Sequence, residues 1–564
     1  MSTPPPGMSP LLRAPPFPQA DATVSRPRPY PAPLPPGLDM ASLFARVREA
    51  GVGGAFWATR ITGTPVGHQV VRPRSAREPR RLLHLMPREA RGATLWVSAT
   101  PRRSVSRALA RLTTRHGGTA YGEADPWSAL TGAGQLIAHG DDEWIALARI
   151  AGVPVQVLTA GPFGAPGDDG AALDARALQA LLSADYRDPF SRGPASILDA
   201  IDLLAEWRRV LDGNRALVAA SGMAWWKRAE IRHFLWSPGQ RLRLATRPAA
   251  GLRAAARAGG SLAIWPSRVS PSLIAAAKRK GVPLVRVEDG FVRSVGLGSN
   301  LVPPSSIVVD CRGIHFDPGA PSDLEHILAS AEFAPRLLAR ASALRERIVA
   351  AGISKYAVGS AAPPPPRTPG RRLVLVPGQV EDDMSVLAGG GGLCSNLEVL
   401  RRTRALEPDA EIWFRPHPDV DAGHRRGAVP DGDALAVADR IVREPSMAAL
   451  LDTVDAVHVL TSLTGFEALM RGLEVTCHGT PFYAGWGLTR DLGIVPERRG
   501  RPLTLDALVA GVLILYPRYL DPVTGLPCPP EVLVNRMAQN RAPNRQGWVE
   551  PLRRWQGRLM ATWR

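Results

Sequence analysis

Short apolar runs alternate with amphipathic stretches along two blocks of the chain. In the first block, from about residue 214 to 356, the runs that fit buried strands lie at 215–222, 261–267 and 283–290. The stretches between them have apolar residues at helical spacing. Strands that alternate with helices are typical of a parallel sheet covered on both faces, so an α/β fold is predicted.

Local signals place the helix ends of this first block. The segment 271–281 is predicted as a helix that closes at Gly281. Ser322 is followed three residues later by Glu325, which is the spacing of a capping box, so a helical segment is predicted over 322–352.

The second block, residues 371–540, repeats the pattern. Its predicted strands are 371–378, 411–419, 456–460 and 473–482. Between the two blocks lies a Pro-rich linker, 359–370, whose four consecutive prolines can neither continue a helix nor donate to a sheet. The blocks are therefore predicted to be two Rossmann-like lobes with a cleft between them, the architecture of GT-B glycosyltransferases.

The remainder of the chain is assigned by composition and by similarity to the second lobe. Segments 120–167 and 184–193 parallel 445–487 and 516–525, which indicates a degenerate partial repeat, or a chance likeness of two βα units. The predicted domains are a disordered Pro-rich tail (1–37), the degenerate repeat (38–205), the first, acceptor-side lobe (206–358), the linker (359–370), the second lobe, which binds the nucleotide sugar (371–540), and a C-terminal tail or helix (541–564).

Charge and cysteine content narrow the function only a little. The 564-residue chain has a formal net charge of +18, which fits nucleic-acid binding, an anionic membrane surface or the Arg-rich composition of a GC-rich genome. The four cysteines are too far apart for a zinc site or a disulfide framework. No signal peptide is recognised, and the apolar run 508–515 is shorter than the roughly 18 residues of a membrane span. We therefore expect a cytoplasmic protein.

Four motifs at predicted strand ends carry chemistry. The first, third and fourth motifs have plain structural alternatives: a surface turn, a histidine in a rigid turn and an ordinary helix cap. For the second motif a metal site is the alternative, although no further cluster of ligands is apparent in the sequence. In the first motif the strand ends in two acids, and in the second a carboxylate is available as a nucleophile. In the third motif an arginine and a histidine are suited to bind a phosphate. In the fourth, hydroxyl groups and an acid are suited to bind a phosphate and a ribose. The motifs are residues 288–294 (EDGFVRS), 377–385 (PGQVEDDMS), 415–419 (RPHPD) and 461–467 (TSLTGFE).

In this order the motifs, together with PFYAGWGLT and YPRYLDP, resemble the KpsC/KpsS (LipB-like) family of capsule polysaccharide biosynthesis and export proteins. The resemblance implies a retaining β-Kdo transferase, where Kdo is 3-deoxy-manno-octulosonic acid. It also implies CMP-Kdo as the donor, a lysophosphatidylglycerol-type Kdo-glycolipid as the acceptor, and no cofactor or metal. Capsule biosynthesis and export machinery are the expected partners, nucleic acid is not, and attachment at the inner membrane stays open.

The resemblance also assigns roles to residues. Asp383 is the expected nucleophile, with Asp382 as the alternative, and Glu288 and His417 are the other expected catalytic groups. The expected donor-binding residues are Gln379, Arg415, His417, Ser462, Thr464 and Glu467. Arg293 and Ser294 are expected at the acceptor or at the Kdo carboxylate, a role for which Arg415 competes. The repeat lacks these motifs and is not expected to catalyse. The competing functions are a non-catalytic scaffold of capsule export and a basic nucleic-acid-binding protein.

Overall fold

The computed structural model describes residues 9–18, 20–84, 86, 89–292, 303–354 and 362–539. The chain divides into two compact units. Unit 1 comprises Met1–Arg215 and Trp236–Arg241, and unit 2 comprises Ala216–Leu235 and Leu242–Arg564.

Unit 1 is built around five parallel strands. Its strands are β1 (Ser25–Pro27), β2 (Gln69–Val71), β3 (Thr94–Val97), β4 (Thr119–Tyr121), β5 (Gln135–Ala138), β6 (Val155–Val157) and β7 (Ala184–Tyr186). Its helices are α1 (Met40–Ala50), α2 (Glu78–His84), α3 (Arg103–His116), α4 (Pro126–Leu130), α5 (Trp144–Ala151), α6 (Gly170–Leu182) and α7 (Ile197–Asn214). The sheet order is β4-β3-β2-β5-β6. Helix α3 buries Val105, Leu109 and Leu112 against this sheet, and these residues recur at helical spacing.

The Pro-rich segment before residue 38 packs onto unit 1 over its described part. Leu11 and Leu12 are buried, and β1 pairs antiparallel with β7 so that Ser25 lies opposite Tyr186. The prediction of a disordered tail is therefore wrong for the described residues from 9 to 37. Burial of the leucines stabilises the segment, and a short edge strand tolerates proline because one side of it needs no donor.

The first lobe of unit 2 contains a seven-stranded mixed sheet. Its strands are β8 (Leu217–Ser221), β9 (Arg243–Ala245), β10 (Ser261–Ile264), β11 (Leu284–Asp289) and β12 (Ser306–Asp310), and the chain returns later to add two more strands. Its helices are α8 (Arg228–Phe234), α9 (Pro248–Ala258), α10 (Pro271–Arg279), α11 (Asp323–Ser330) and α12 (Pro335–Ala350). Strands β11, β10, β8 and β9 are parallel neighbours, and β12 joins β11 antiparallel.

The second lobe has a parallel sheet of six strands. Its strands are β13 (Leu373–Pro377), β14 (Glu411–Arg415), β15 (Arg440–Ile441), β16 (Ala456–Val459), β17 (Glu474–Cys477) and β18 (Arg490–Asp491). Its helices are α13 (Met384–Gly389), α14 (Asn396–Leu406), α15 (Pro418–Asp421), α16 (Asp431–Leu435), α17 (Met447–Leu451) and α18 (Thr464–Leu469). Helix α19 (Leu505–Val509) and the π-helix that continues it over Ala510–Leu515 pack against α12 of the first lobe. The sheet order is β15-β14-β13-β16-β17-β18.

Two segments differ from their predicted places. Strands β19 (Pro517–Leu520) and β20 (Pro527–Cys528) extend the sheet of the first lobe next to β12, and α20 (Pro530–Ala538) follows them. The prediction that the second lobe continues to residue 540 is wrong at this end, because the backbone donors of β19 pair with β12. The predicted boundary at 205/206 falls inside α7, whereas the division of units lies after Arg215.

The helical segment predicted over 322–352 starts as expected but is broken. Ser322 and Glu325 form the capping box of α11, with both reciprocal bonds present. Pro335 then starts α12 as its first residue, and Ala334 before it is extended, because proline disfavours a helical conformation in the preceding residue. The predicted segment 541–564 and the first residues of the linker, 359–361, lie outside the described residues.

Candidate functional site

A single cavity of about 350 Å³ receives the motif residues from both lobes of unit 2. Eight predicted residues are described by the structure, and all eight line it: Glu288, Gln379, Asp383, Arg415, His417, Ser462, Thr464 and Glu467. They lie at or just after the carboxyl ends of β11, β13, β14 and β16, which is the edge at which parallel α/β sheets bind ligands. Arg293 and Ser294, predicted at the acceptor or the Kdo carboxylate, lie outside the described residues.

Gln379 fastens two neighbouring strands together at the floor of the cavity. Its side-chain Nε2 donates to Thr461 Oγ1 at 3.0 Å, and its Oε1 accepts from the Thr461 backbone N at 2.9 Å. Its backbone N donates to Asn396 Oδ1 at 2.9 Å. In the order of the second-lobe sheet, β13 and β16 are the strands between which the chain reverses direction, and such a crevice is the usual ligand site. The clamp therefore fixes the ligand-binding edge.

The three consecutive acids after β13 face different surroundings. Asp383 lines the cavity and caps α13, with Oδ1 accepting from the Ser385 backbone N at 3.0 Å and from Ser385 Oγ at 2.8 Å. Asp382 is exposed and lies 3.1 Å from Arg425. Glu381 accepts from the backbone N of Asn396 at 2.8 Å. Asp383 is thus the carboxylate of the three that lines the cavity.

Arg415 and His417 flank a proline at the end of β14. Arg415 is buried and donates to the carbonyl of Val442 at 3.0 Å, and burial lowers the pKa of its guanidinium. His417 caps the short helix α15, and its Nδ1 accepts from the Asp419 backbone N at 3.2 Å. The neutral imidazole then carries its proton on Nε2, so the ring can donate to an anion. Gly378 allows the close approach, since a Cβ there would lie 3.3 Å from the backbone N of His417.

The turn between β16 and α18 contributes hydroxyls and an acid. Ser462 Oγ donates to Thr464 Oγ1 at 3.1 Å, and the backbone N of Thr464 donates back to Ser462 Oγ at 3.2 Å. Tyr483 Oη donates to the carbonyl of Ser462. Glu467 is buried in α18 and lines the same cavity. These hydrogen bonds fix the orientation of the hydroxyl groups beside the cavity.

The first lobe contributes two acids at the end of β11. Glu288 lines the cavity, and its Oε1 accepts from the backbone N of Asp289 at 3.1 Å. Asp289 Oδ1 is 2.8 Å from the Nζ of Lys227, a buried lysine whose ammonium lies 3.6 Å from the ring centroid of Trp265. Lys227 neutralises one acid of the pair, which reduces the repulsion that two adjacent carboxylates would otherwise have.

Sequence reasoning missed an aromatic cluster on the cavity wall. Phe291 packs against Phe482 with ring centroids 4.6 Å apart and against His315 at 4.9 Å. Phe316 also lines the cavity. Phe291 belongs to the 288–294 motif, whose pattern predicts only a turn after the strand. The signal for the rest of the cluster is the aromatic residue beside a histidine in the segment 314–316.

A buried ion pair fixes the glycine-rich loop that follows β17. Arg499 Nε donates to Glu325 Oε1 at 2.6 Å, and its Nη1 donates to the carbonyl of Pro481 at 2.6 Å. Both charged side chains are almost fully buried, and burial lowers the pKa of the Arg499 guanidinium. Trp486 Nε1 donates to the carbonyl of Phe482 at 3.0 Å. The loop at 481–487 is therefore held rigidly where Phe482 borders the cavity.

The described part of the chain contains neither a cluster of metal ligands nor a membrane-spanning helix. No group of three or more His, Cys, Asp or Glu side chains there is arranged to hold a metal ion. Within the same residues, no helix is both long enough and apolar enough to cross a bilayer.

The fold and the cavity define a Rossmann-like α/β protein of the GT-B type. The family model for capsule polysaccharide biosynthesis proteins matches residues 261–359 and 360–519. The structure of Thermosulfurimonas dismutans KpsC, a beta Kdo 2,4 transferase, is 32% identical with a TM-score of 0.50, over 57% of this chain and 98% of that one. The chain therefore belongs to the KpsC-like family of capsule polysaccharide biosynthesis proteins.

Curated relatives agree with this family. The capsule polysaccharide modification protein LipA of Neisseria meningitidis serogroup A is 42% identical over 339 residues, which are 60% of this chain and 48% of LipA. The lipopolysaccharide-processing protein LpsZ of Rhizobium meliloti is 45% identical over 246 residues, which are 43% of this chain and 56% of LpsZ. The chain spans about half the length of the curated relatives it matches.

Proposed function

We propose that unit 2 is a glycosyltransferase that moves Kdo from CMP-Kdo to a lipid-linked Kdo acceptor during capsule biosynthesis. The observation that carries the proposal is the convergence of eight motif residues on one cavity at the strand ends of two lobes. The likeness to a structure described as a β-Kdo transferase supports the choice of sugar. Arg415, His417, Ser462 and Thr464 supply the donors that a sugar nucleotide's phosphate needs, and Glu467 can accept from ribose hydroxyls.

The proposed chemistry has two displacements. A carboxylate oxygen of Asp383 attacks the anomeric carbon of Kdo, the bond to the phosphate oxygen breaks, and CMP leaves with that electron pair. The acceptor hydroxyl then attacks the same carbon and displaces the Asp383 carboxylate, so two inversions retain the configuration. Asp383 suits this role because one of its oxygens is fixed by Ser385 while its side chain borders the cavity.

The remaining groups assist these two steps. His417 donates from Nε2 to the departing phosphate, and Arg415 compensates its charge or that of the Kdo carboxylate. Glu288, on the first-lobe side, takes the proton of the acceptor hydroxyl or orients the donor. Arg293 and Ser294 stay assigned to the acceptor or the Kdo carboxylate. No step needs a metal or cofactor, so we expect turnover to persist with a chelator present.

The test is release of CMP from CMP-Kdo by the full chain, with a synthetic Kdo-primed lipid as acceptor. Acceptor-dependent release should occur in the wild type and be lost in Asp383→Ala. Asp382→Ala is the matched control, because that neighbouring carboxylate is exposed and paired with Arg425; it should retain turnover. Loss in Asp382→Ala with survival in Asp383→Ala would move the nucleophile. No release by any form would favour a non-catalytic role in the capsule machinery.

A further inference from the structure

One loop occurs twice in the chain, once in each unit. In unit 1 the carboxylate of Asp188 accepts from the hydroxyl of Ser191 at 2.6 Å and from the backbone N of Ser191 at 3.3 Å. In unit 2 the carboxylate of Asp521 accepts from the hydroxyl of Thr524 at 2.9 Å and from its backbone N at 3.2 Å. Both loops follow the same Tyr-x-Asp-Pro sequence, so positions in the two loops can be compared directly.

The position after this hydroxyl residue is Gly525 in unit 2 and Arg192 in unit 1. In both loops its backbone N donates to the aspartate carbonyl at 2.8 Å, and its φ is positive, 75° for Gly525 and 63° for Arg192. Among the residues that the structure describes, Arg192 is the one non-glycine residue with positive φ. An L-residue is strained in this conformation, because its Cβ crowds the following carbonyl oxygen. Unit 1 therefore has an arginine at a position where glycine would adopt the same backbone conformation without strain.

A second arginine distinguishes the same loop. The residue before the aspartate is Leu520 in unit 2, and it is buried in the core of the first lobe. In unit 1 this position is Arg187, which is exposed. Two guanidinium groups thus occupy positions at which the matched loop has a core leucine and a glycine.

Both arginines line one cavity of about 400 Å³ in unit 1. Arg28 lines it too, and so does Ser196, the N-cap of the long helix α7. Asp185 is the acid of the lining, and it lies 3.5 Å from Arg28. Across the described residues, no hydrogen bond or ion pair holds the guanidinium of Arg187 or Arg192. The lining therefore has a net positive charge, with two cations available to a ligand.

We propose that this cavity binds an oxyanion carried on a sugar, either the carboxylate of a sugar acid or the phosphodiester of a glycolipid. Guanidinium forks match the two oxygens of either group, and the cavity volume is in the range of small-ligand sites. The choice of an acidic sugar rests on the proposed function, whereas the anion site rests on the loop comparison and the cavity. Unit 1 would then hold a charged part of the growing acceptor.

Titration calorimetry of the full chain with three separate probes tests the proposal. The probes are a Kdo disaccharide, inorganic phosphate and phosphatidylglycerol vesicles, with phosphatidylcholine vesicles as the baseline. Affinity for at least one probe should fall about tenfold or more in Arg192→Gly and in Arg187→Leu, which copy the matched loop. Dependence seen with the disaccharide assigns the sugar carboxylate, and dependence seen with phosphate or vesicles assigns the phosphodiester.

Arg26→Ala is the matched control. Arg26 is exposed and does not line the cavity. Hydrogen bonds from Thr23 are the main cause that lowers the pKa of Asp21, and the charges of Arg192 and Arg26 lower it further. The two arginines therefore act on the same carboxylate, but of the two Arg192 is the one that lines the cavity. Arg26→Ala should bind as the wild type does. Arg192→Gly should melt no lower than the wild type, because glycine accepts the positive φ. Binding of no probe, or binding that survives both loop substitutions, would overturn the proposal.

Gln379→Ala distinguishes binding in unit 1 from binding in the cavity of unit 2, because it removes the side-chain hydrogen bonds between Gln379 and Thr461 at that cavity. A probe held in unit 1 should still bind to Gln379→Ala with its dependence on Arg187 and Arg192. Because this readout needs no turnover, it stands even if CMP-Kdo is not the donor. Conversely, turnover with an unaffected probe titration would leave the proposed function intact and remove the unit 1 site.

Discussion

The five-stranded sheet of unit 1 and the first five strands of the second-lobe sheet have the same order, but the two sheets differ at their carboxyl edges. In each, the first strand is central, the second lies on one side and the fourth on the other. The order of the strands therefore reverses between the first and the fourth strand. In the second lobe the uncharged side chains of Gln379 and Thr461 are hydrogen-bonded across this point, and the cavity lies beside them. In unit 1 the same point is bridged by an ion pair, with Arg72 Nε 2.8 Å from Asp142 Oδ2.

In unit 1 the arginine of this ion pair is already engaged by several partners. Arg72 also donates to the carbonyl of Ser98 at 3.0 Å, and its guanidinium lies 4.1 Å from the ring centroid of Trp144. A cation already satisfied by carboxylate, carbonyl and aromatic ring has little left to offer a phosphate. The comparison teaches that strand order builds the edge, whereas the side chains at that edge decide whether it becomes a site.

The largest contrast is expected in activity between the two carboxylates of these edges. Asp383→Asn should lower CMP release at least about 10³-fold, because an amide cannot form the glycosyl ester. Asp142→Asn should retain turnover within a few-fold. Steady-state release under one set of conditions measures both. Equal losses in the two variants would show that unit 1 takes part in the chemistry and break the comparison.

The next effect is on the stability of unit 1. Arg72→Ala leaves the buried carboxylate of Asp142 unpaired, which should cost about 3–5 kcal/mol, since both side chains are almost fully buried. Hydrogen exchange of the β2 and β5 amides reports the loss. The double variant Arg72→Met with Asp142→Asn removes both charges and should recover part of it. A loss below about 1 kcal/mol in Arg72→Ala would contradict the role given to the pair.

A lower pH should destabilise the second-lobe sheet more than the sheet of unit 1. In the second lobe His458 Nδ1 lies 3.1 Å from His478 Nε2, and burial lowers the pKa of each to about 4. Unfolded histidines bind protons near pH 6.5, so the unfolded state is favoured as pH falls from about 6.5 to about 4. Unit 1 has Ile137 and Leu158 at the matching places, which do not titrate.

Hydrogen exchange at pH 7 and pH 5 tests this difference. Protection of β16 and β17 should fall more than that of β5 and β6. The double variant His458→Ile with His478→Leu copies unit 1 and should remove the extra pH dependence. An unchanged dependence in that variant would assign the acid sensitivity to other groups.

The smallest effect on stability is expected for a hydrogen bond from a tyrosine hydroxyl to a backbone carbonyl, which both units contain. Tyr186 Oη donates to the carbonyl of Leu181 at 2.6 Å, and Tyr519 Oη donates to that of Leu513 at 2.7 Å. Tyr186→Phe and Tyr519→Phe should each lower stability by about 1 kcal/mol, because each leaves one buried carbonyl without its donor. Chemical denaturation measures both losses. A tenfold loss of CMP release in Tyr519→Phe alone would give that tyrosine a functional part.

The main elements of both lobes follow from the sequence. The apolar run 371–378 contains β13, and 411–419 contains β14, because fully buried parallel strands need continuous apolar residues. The convergence of Asp383, His417 and Thr464 was predictable for a related reason. Parallel strands end at one edge, so the residues that follow them meet there.

Other features were not predictable because they depend on contacts between distant segments. Strand β19 pairs with β12, and nothing local to residues 517–520 indicates that partner. Leu11 and Leu12 lie among prolines, and only their burial on unit 1 reveals a core. The packing of Phe291 against Phe482 likewise joins segments from the two lobes. In each case the tertiary partner, not the local pattern, determines the structure.

Mass spectrometry of the full chain with CMP-Kdo and no acceptor tests the central claim most directly. The account predicts a protein species heavier by one Kdo residue, located on the peptide that contains Asp383, and discharged when the Kdo-primed acceptor is added. Asp382→Ala should form the same adduct, and Asp383→Ala should not. An adduct on any other residue, or acceptor-dependent turnover with no adduct even in an acceptor-side variant such as Glu288→Gln, would contradict the account.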